Sequence, residues 1–167
     1  MNKLLFVIIL FLSGIRCYSQ QGDQATVVGR FLDDWHAAAA RADAEAYFGA
    51  IAPQGIYIGT DKSERWSKQE FYRWSKRYFD AGKAWSFTAK ERHIYFSADG
   101  NVAWFDEEVD NGRTQWRGSG VLERTKNGWK IMQYVLSVPI PNEVYPAVFE
   151  MIKEHEAKQP EREQQPQ

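Results

Sequence analysis

The residues best suited to chemistry lie in the second half of the chain, on segments whose alternating pattern predicts β-strands. Glu107 is a carboxylate between apolar positions, and Arg92 falls opposite it when the predicted strands are paired. A carboxylate on an apolar face has a raised pKa and can abstract a proton, whereas a neighbouring cation lowers that pKa. Glu107 is therefore a candidate general base. Its pairing with Arg92 also leaves open an ion pair that anchors a ligand or is purely structural.

A second set of polar residues forms a predicted row on the opposite face of the same strands. The row contains His93, Asp106 and Arg117. His93 beside Asp106 resembles a base with an orienting carboxylate, but Arg117 beside the same carboxylate favours a structural row. His36 and His155 lie in helical patterns and are expected to face the solvent.

Sequence motifs that bind metals, nucleotides or cofactors are absent from the chain. It has no HExxH, CxxC, EF-hand, P-loop, GxGxxG or GxSxG pattern. We therefore predict no metal site and no cofactor. The formal net charge of −1 argues against nucleic-acid binding, which needs a basic face.

Three turn signals indicate the elements that hold these residues. Asp99-Gly100, Asn111-Gly112 and Asn127-Gly128 each separate runs rich in β-branched and aromatic residues. Such pairs tolerate the positive φ angles of tight hairpin turns. Three in series predict a four-stranded antiparallel meander from about Trp85 to Val138, with two-residue loops.

Pairing the strands through two-residue loops sorts the side chains onto two faces. The mostly apolar face also carries Arg92, Glu107, Trp116 and Gln133. The other face combines the polar row with large aromatic side chains, namely Trp85, Tyr95, Trp104 and Tyr134. Because a solvated face holds fewer large apolar groups, part of this face is expected to be covered. A single β-bulge would exchange the two faces beyond it.

Helical patterns precede the meander. Asp23 is expected to cap a first helix that runs to about Arg41. Asp43 is expected to cap a short second helix that ends at Pro53 and Gly55. A short strand at 56–59 follows. A capping box and a hydrophobic staple open the third helix, at Ser67, Glu70, Trp66 and Phe71. The predicted buried stripe of that helix is Phe71, Trp74 and Tyr78.

The two ends of the chain differ from its middle. A cationic start, an apolar run from Leu4 to Leu12 and small residues before Gln20 predict a signal peptide over 1–19. The protein is then exported, either periplasmic or secreted, without stable membrane insertion. Cys17, the only cysteine, is a weaker candidate for lipidation because Arg16 precedes it. A C-terminal helix is predicted over 143–158 and a disordered polar tail over 159–167.

This order of elements resembles the SnoaL-like, nuclear transport factor 2-like superfamily over about 24–142, and we place the domain at 20–142. Short stretches carry the resemblance, namely Tyr57–Asp61, Glu64–Trp66, Gly100–Asp106, Gly128–Ile131 and Ser137–Asn142. The resemblance implies an α+β fold in which three N-terminal helices pack on a strongly bent antiparallel meander. The result is a cone with a pocket.

The resemblance also implies roles for the two sheet faces. The apolar face would line the pocket, with Arg92, Glu107, Trp116, Gln133, Trp35 and Trp66 as candidate ligand-binding residues. The aromatic face with Trp85, Tyr95, Trp104 and Tyr134 would form a homodimer. At these spacings the tryptophans are equally suited to a plain core.

Three functions remain open, because this superfamily contains isomerases, cyclases, dehydratases, epoxide hydrolases and non-enzymatic association and transport domains. The chain could be an exported domain that binds a small hydrophobic molecule. It could be a cofactor-free isomerase, dehydratase or cyclase with Glu107 as its base. It could also be a protein-association module. The surroundings of Glu107 distinguish the first two, since a close Arg92 favours binding or structure over catalysis.

Overall fold

The computed structural model describes residues 22–158, so the predicted signal peptide, Cys17 and the polar tail lie outside the described residues. Helix α1 covers residues 22–40. The remaining helices are α2 (Ala44–Ala50), α3 (Lys68–Asp80) and α4 (Tyr145–Ala157). The strands are β1 (Ile51–Ile58), β2 (Arg65–Ser67), β3 (Thr88–Phe96), β4 (Val102–Asp110), β5 (Gln115–Thr125) and β6 (Gly128–Ser137).

The strands form one mixed sheet in the order β2-β1-β6-β5-β4-β3. The predicted meander is confirmed as β3 to β6, in which each strand pairs antiparallel with the next. β1 adds to this sheet in parallel to β6, and β2 pairs antiparallel with β1. The α+β fold class is confirmed, although two strands separate the second and third helices and the sheet is not purely antiparallel.

The predicted starts of α2 and α3 are confirmed by their side-chain caps. The Asp43 carboxylate accepts a hydrogen bond from the backbone N–H of Ala46 at 3.0 Å. Ser67 and Glu70 form the reciprocal capping box of α3. The rings of Trp66 and Phe71 stack with centroids 5.5 Å apart, which completes the staple.

Other local predictions were wrong. Residue 22 is already helical, so Asp23 lies inside α1. Pro53 and Gly55 lie within β1, between Ile51 and Ile56, where the pairing with β6 shifts register. Proline has no N–H to donate, so this irregular stretch tolerates it. The buried residues of α3 are Phe71, Ser75 and Phe79, a stripe with a four-residue step, in place of Phe71, Trp74 and Tyr78.

The register of the first hairpin follows the prediction. The second hairpin has a longer loop than the two residues predicted. Arg92 pairs with Glu107 as expected. Asp110 pairs with Gln115, so the loop has four residues, and the Asn111 side chain accepts hydrogen bonds from two of its backbone N–H groups. Because the shift is even, each β5 side chain keeps its predicted face, but Gly118 replaces Trp116 opposite Glu107.

A β-bulge in the last hairpin exchanges the faces of the end of β6. Leu122 pairs with Ile131, whereas Val121 pairs with Gln133, so one extra residue lies in β6 between them. Gln133 is therefore exposed on the outer face, and the prediction that it lines the pocket was wrong. Tyr134 points inward and is 2% exposed.

The inner face of the sheet packs on α1, α2 and α3 around one aromatic core. Its largest fully buried side chains include Tyr47, Tyr134, Phe71, Leu32, Leu122 and Ile131. Trp85 packs against this core and contacts Tyr47 and Phe71. Trp85 and Tyr134 therefore do not belong to the exposed face, contrary to the prediction. Tyr95 and Trp104 do, at 48% and 46% exposure, and their rings stack 6.0 Å apart.

The chain divides after Ser137, and α4 belongs to the second unit. The predicted C-terminal helix is present, with Pro146 in its first turn and with no buried residue. Within residues 22–158, no helix is both long and apolar enough to cross a membrane.

Candidate ligand-binding site: an aromatic pocket above a buried ion cluster

Glu107 lies at the centre of a buried polar cluster on the inner face of β4. Only 1% of its surface is exposed. Its Oε1 accepts hydrogen bonds from His36 Nε2 at 2.8 Å and from the Tyr134 hydroxyl at 3.0 Å. Its Oε2 accepts a hydrogen bond from Arg92 Nε at 2.8 Å. Both carboxylate oxygens are therefore engaged by protein donors.

Arg92 connects the sheet to helix α1. Its Nη2 lies 2.8 Å from Oε2 of Glu107, and its Nη1 donates to the backbone carbonyl of Gly29 and to the carboxylate of Asp33, both at 2.9 Å. Arg92 is itself largely buried, whereas Asp33 is mostly exposed. The guanidinium thus uses its planar fork to bind a helix and a strand at once.

A glycine on the neighbouring strand makes room for this cluster. Gly118 pairs with Glu107 across β4 and β5. A Cβ atom on Gly118 would overlap the Tyr134 hydroxyl and would lie 2.9 Å from Oε1 of Glu107. Any side chain at this position would separate the two hydrogen-bonded groups.

The electrostatics of the cluster keep Glu107 ionised. Burial raises the pKa of Glu107, but the hydrogen bond and charge of His36, followed by those of Arg92, outweigh it and lower the pKa below its usual value. Burial and the charge of Glu107 raise the pKa of Tyr134 well above that of a free phenol. At neutral pH the cluster thus holds a carboxylate and a neutral phenol. Since a carboxylate can only accept, His36 Nε2 carries a proton.

An aromatic pocket of about 190 Å³ lies beside this cluster. Four of the seven tryptophans in the chain line it, namely Trp66, Trp74, Trp85 and Trp116. The other aromatic lining residues are Tyr57, Phe71 and Phe87. The rest of the wall consists of Gly59, Thr60, Glu64 and Leu136.

Two side chains of the pocket wall also contact the ion cluster. The Phe87 ring lies 6.4 Å from the His36 ring, and the Tyr57 ring lies 5.7 Å from the Tyr134 ring. The cluster therefore sits one side chain behind the pocket wall, and Glu107 is not itself a lining residue.

The structure brings together most of the predicted site residues. Arg92 and Glu107 form the predicted pair, and Trp66 and Trp116 line the pocket. Trp35 is buried and packs edge-on against Tyr134 at 4.7 Å, which places it in the core behind the pocket. Of the six predicted ligand-binding residues, Gln133 is the one on the wrong face.

Two members of the cluster were missed by the sequence prediction. His36 was expected to face the solvent but is only 4% exposed. Its position was detectable, since it follows the buried Leu32 by four residues on the apolar stripe of α1. Tyr134 could not be found without knowledge of the bulge that turns it inward.

The remaining polar candidates lie apart from the pocket. His93 Nδ1 lies 3.1 Å from Asp106, but both side chains are about half exposed on the outer face. Asp106 pairs with Ser119, so Arg117 does not complete the predicted row. In residues 22–158, no three potential ligands are grouped to hold a metal ion.

A larger depression of about 370 Å³ lies elsewhere and is lined by Phe48, Pro53, Lys68, Gln69, Tyr72 and Arg73. The Lys68 ammonium in it already donates to the backbone carbonyl of Ile51 at 2.8 Å. None of the cluster residues lines this depression, so we place the candidate site in the aromatic pocket.

The sheet, the three helices packed on it and the pocket define a protein of the nuclear transport factor 2-like fold. The chain belongs to the SnoaL-like domain family, because the profile of that family matches residues 28–141, more than half of the sequence. A comparison with the sequences of curated proteins gives no match.

Solved structures with the same fold have diverse descriptions. A candidate dehydratase of the NTF2-like family from Streptomyces avermitilis matches with a TM-score of 0.58 and 16% identity, over 68% of this chain and 94% of that one. A candidate ketosteroid isomerase from Parabacteroides distasonis matches with a TM-score of 0.51 and 19% identity, over 62% of this chain and 81% of that one. A candidate calcium/calmodulin-dependent protein kinase II association domain from Xanthomonas campestris matches with a TM-score of 0.53 and 21% identity. The match covers 69% of this chain and 86% of that one. At these identities the likeness concerns the fold alone.

Proposed function

We propose that this SnoaL-like domain binds a small, mostly apolar molecule in its aromatic pocket and that the ion cluster behind the pocket is structural. The observation that carries the proposal is that protein donors already engage both oxygens of Glu107. Three protein donors engage its two oxygens, and Glu107 does not line the pocket. The pocket itself offers ring faces and edges, which bind apolar groups by burial and dispersion.

The volume of the pocket limits the size of the ligand. Sites for drug-sized ligands enclose about 300–1,000 Å³, whereas this pocket has about 190 Å³. A small molecule or one end of a larger molecule therefore fits, and a fully enclosed polycyclic ligand does not.

The indole N–H signals of the tryptophans provide a direct test. Cyclohexanol, a neutral apolar probe, is titrated into ¹⁵N-labelled protein. We expect saturable shifts at Trp66, Trp74, Trp85 and Trp116, which line the pocket. Trp104 on the outer face and Trp129 outside the pocket are internal controls and should not shift. Equal shifts of all indoles, or none, would contradict the proposal.

A second candidate function is a cofactor-free isomerase, dehydratase or cyclase with Glu107 as general base. The full burial of Glu107 one side chain behind the pocket favours it, since proton abstraction benefits from a site that excludes water. The lowered pKa of Glu107 weighs against it, because a more acidic carboxyl is a weaker base. If this candidate were right, Glu107→Gln would lower turnover by about 100-fold or more.

We also propose that the domain pairs with a second copy through the outer sheet face. The support is the stacked pair Tyr95 and Trp104, two large aromatic side chains that are each nearly half exposed. Isolated exposed aromatics are ordinary, but a stacked pair on a sheet face is a common centre for an interface.

Export is a further proposal, based on the charged start and the apolar run at the N-terminus. The intact mass of protein isolated from the producing cell should correspond to a chain that begins at Gln20. A mass that corresponds to a diacylated Cys17 would replace this proposal with a lipoprotein.

A further inference from the structure

The aromatic pocket has one charged side chain in its wall, the carboxylate of Glu64. The other lining residues are aromatic or otherwise uncharged. The wall thus combines electron-rich ring faces with a single negative charge, and no positive charge of the described chain lies in it. Such a wall has an electrostatic preference, which a purely apolar pocket would lack.

Glu64 is held in place by its own loop. The backbone N–H of Gly59 donates to the carbonyl of Glu64 at 2.8 Å, and the N–H of Asp61 donates to Glu64 Oε2 at 3.2 Å. Gly59 has no side chain, and a Cβ there would overlap the same carboxylate oxygen. The carboxylate therefore lies over the backbone of Gly59 at the edge of the pocket. Burial is the main cause that raises the pKa of Tyr57, and the nearby charge of Glu64 raises it further.

The charge of Glu64 is not neutralised by the described chain. None of the ion pairs within residues 22–158 includes Glu64. Within residues 22–158, the Glu64 side chain accepts one hydrogen bond, from the N–H of Asp61. Glu107 differs in this respect, since its carboxylate already has Arg92 as a cation partner.

The tryptophans are arranged so that a cation can contact several rings. The rings of Trp66, Trp74 and Phe71 form a triangle, with centroids 4.8 Å, 5.5 Å and 6.1 Å apart. Trp85 lies 5.6 Å from Phe71. The described arginines that stack on rings do so at Tyr78 and Trp129, outside the pocket. No described arginine thus occupies the face of a pocket ring. Phe71 is stacked on by its neighbours, whereas Trp116 contacts Phe87 edge-on at 5.8 Å.

We infer that the ligand of this pocket carries an alkylated ammonium group, which is held by the tryptophan faces and by Glu64. The inference rests on the proposed binding function and specifies the chemical class of the ligand. Cation–π attraction favours tryptophan over other rings, and alkylated ammonium ions are recognised by aromatic cages because they are weakly hydrated. A volume of about 190 Å³ matches a compact head group.

A pair of probes with the same shape and different charge tests the inference. Choline and 3,3-dimethylbutan-1-ol differ by a quaternary nitrogen in place of a carbon, so apolar contact is nearly the same. We expect choline to bind about tenfold more tightly, as judged by the shifts of the pocket indoles. Phosphocholine, titrated in parallel, distinguishes the source, since tighter binding than choline would assign the ammonium group to a lipid headgroup.

Two variants with matched controls assign the preference to residues. Glu64→Gln should reduce the preference for choline about threefold, and Glu108→Gln on the outer face should leave it unchanged. Trp74→Leu should weaken the binding of choline but barely change the binding of the neutral probe. Trp104→Leu should change the affinity for neither. Circular dichroism confirms that each variant is folded.

The outcomes separate this inference from the proposed function. If the neutral probe binds as tightly as choline, or if Glu64→Gln has no effect on the ratio, the inference is overturned and the binding function stands. If choline gives no shifts where cyclohexanol does, the inference is again overturned. If no probe shifts the pocket indoles, both fail.

Discussion

Replacement of Glu107 by Gln tests the role of the ion cluster most directly. The variant keeps the shape of the side chain but removes the charge that faces Arg92 and His36. Three donors surround the carboxylate, and an amide offers one acceptor oxygen to them. The amide keeps one acceptor oxygen for Arg92 but no charge, so the main loss is the charge partner of the buried Arg92.

The interactions that the variant loses set the expected change in the free energy of unfolding. A hydrogen bond to a charged group contributes about 1.5–3 kcal/mol, and removal of one partner from a buried ion pair costs about 3–5 kcal/mol. Arg92 retains Asp33 and the Gly29 carbonyl, which lowers the cost. We therefore expect Glu107→Gln to lower the free energy of unfolding by about 1–3 kcal/mol, and Glu107→Leu by about 3–5 kcal/mol.

Urea denaturation at neutral pH, followed by tryptophan fluorescence, measures this difference. Glu108→Gln is the matched control, since Glu108 is the exposed neighbour on the same strand, and its effect should stay within about 0.5 kcal/mol. A loss for Glu107→Gln no larger than that of the control would refute the view that the cluster joins α1 to the sheet.

The same comparison has a defined pH dependence. Because the pKa of Glu107 is lowered in the folded protein, its carboxylate contributes stability above the unfolded-state pKa of about 4.3. That contribution is lost as the pH falls through the lower folded-state value. The difference between the wild type and Glu107→Gln should therefore be largest at neutral pH and should shrink below about pH 4.

Two further variants test the outer face and the inner strand contact. Trp104→Glu should place an unpaired charge in the proposed interface and yield a folded monomer by light scattering, and a monomeric unmutated protein would rule out this interface. Gly118→Ala should force Tyr134 away from Glu107 and cost about 1–3 kcal/mol in urea denaturation. Gly49→Ala is its control, because a Cβ there meets nothing within 4 Å in a helix that favours Ala. Equal effects of the two alanines would contradict the packing argument.

Local signals predicted the elements of this fold well, because each depends on a few neighbouring residues. The caps at Asp43 and Ser67 are hydrogen bonds within one turn, and both are present. The three Gly turns mark the three hairpins, and each glycine has a positive φ. The predicted resemblance to the family rested on the order of these elements, and the family profile confirms it.

The composition of the site depended on long-range geometry and was predicted only in part. Arg92 and Glu107 were paired correctly because no irregularity separates them from the first turn. Gln133 and Tyr134 were exchanged because one extra residue in β6 inverts the faces beyond it, and no residue type in that strand announces a bulge. The first strand was predicted too short because Pro53 and Gly55 ordinarily end elements, and because the parallel partner of β1 lies far along the chain.

The parallel pairing of β1 with β6 has a consequence for the order in which the domain folds. β3 to β6 pair with their neighbours in sequence, so each hairpin closes only a short loop. β1 can pair early with its neighbour β2, but it cannot join the meander until β6 exists. That step, with the docking of α1 through Arg92, closes the longest loops. Pulse-labelled hydrogen exchange should therefore protect the amides of β4 and β5 before those of β1. Nascent chains would hold β1 apart from the meander until nearly the whole domain has been synthesised.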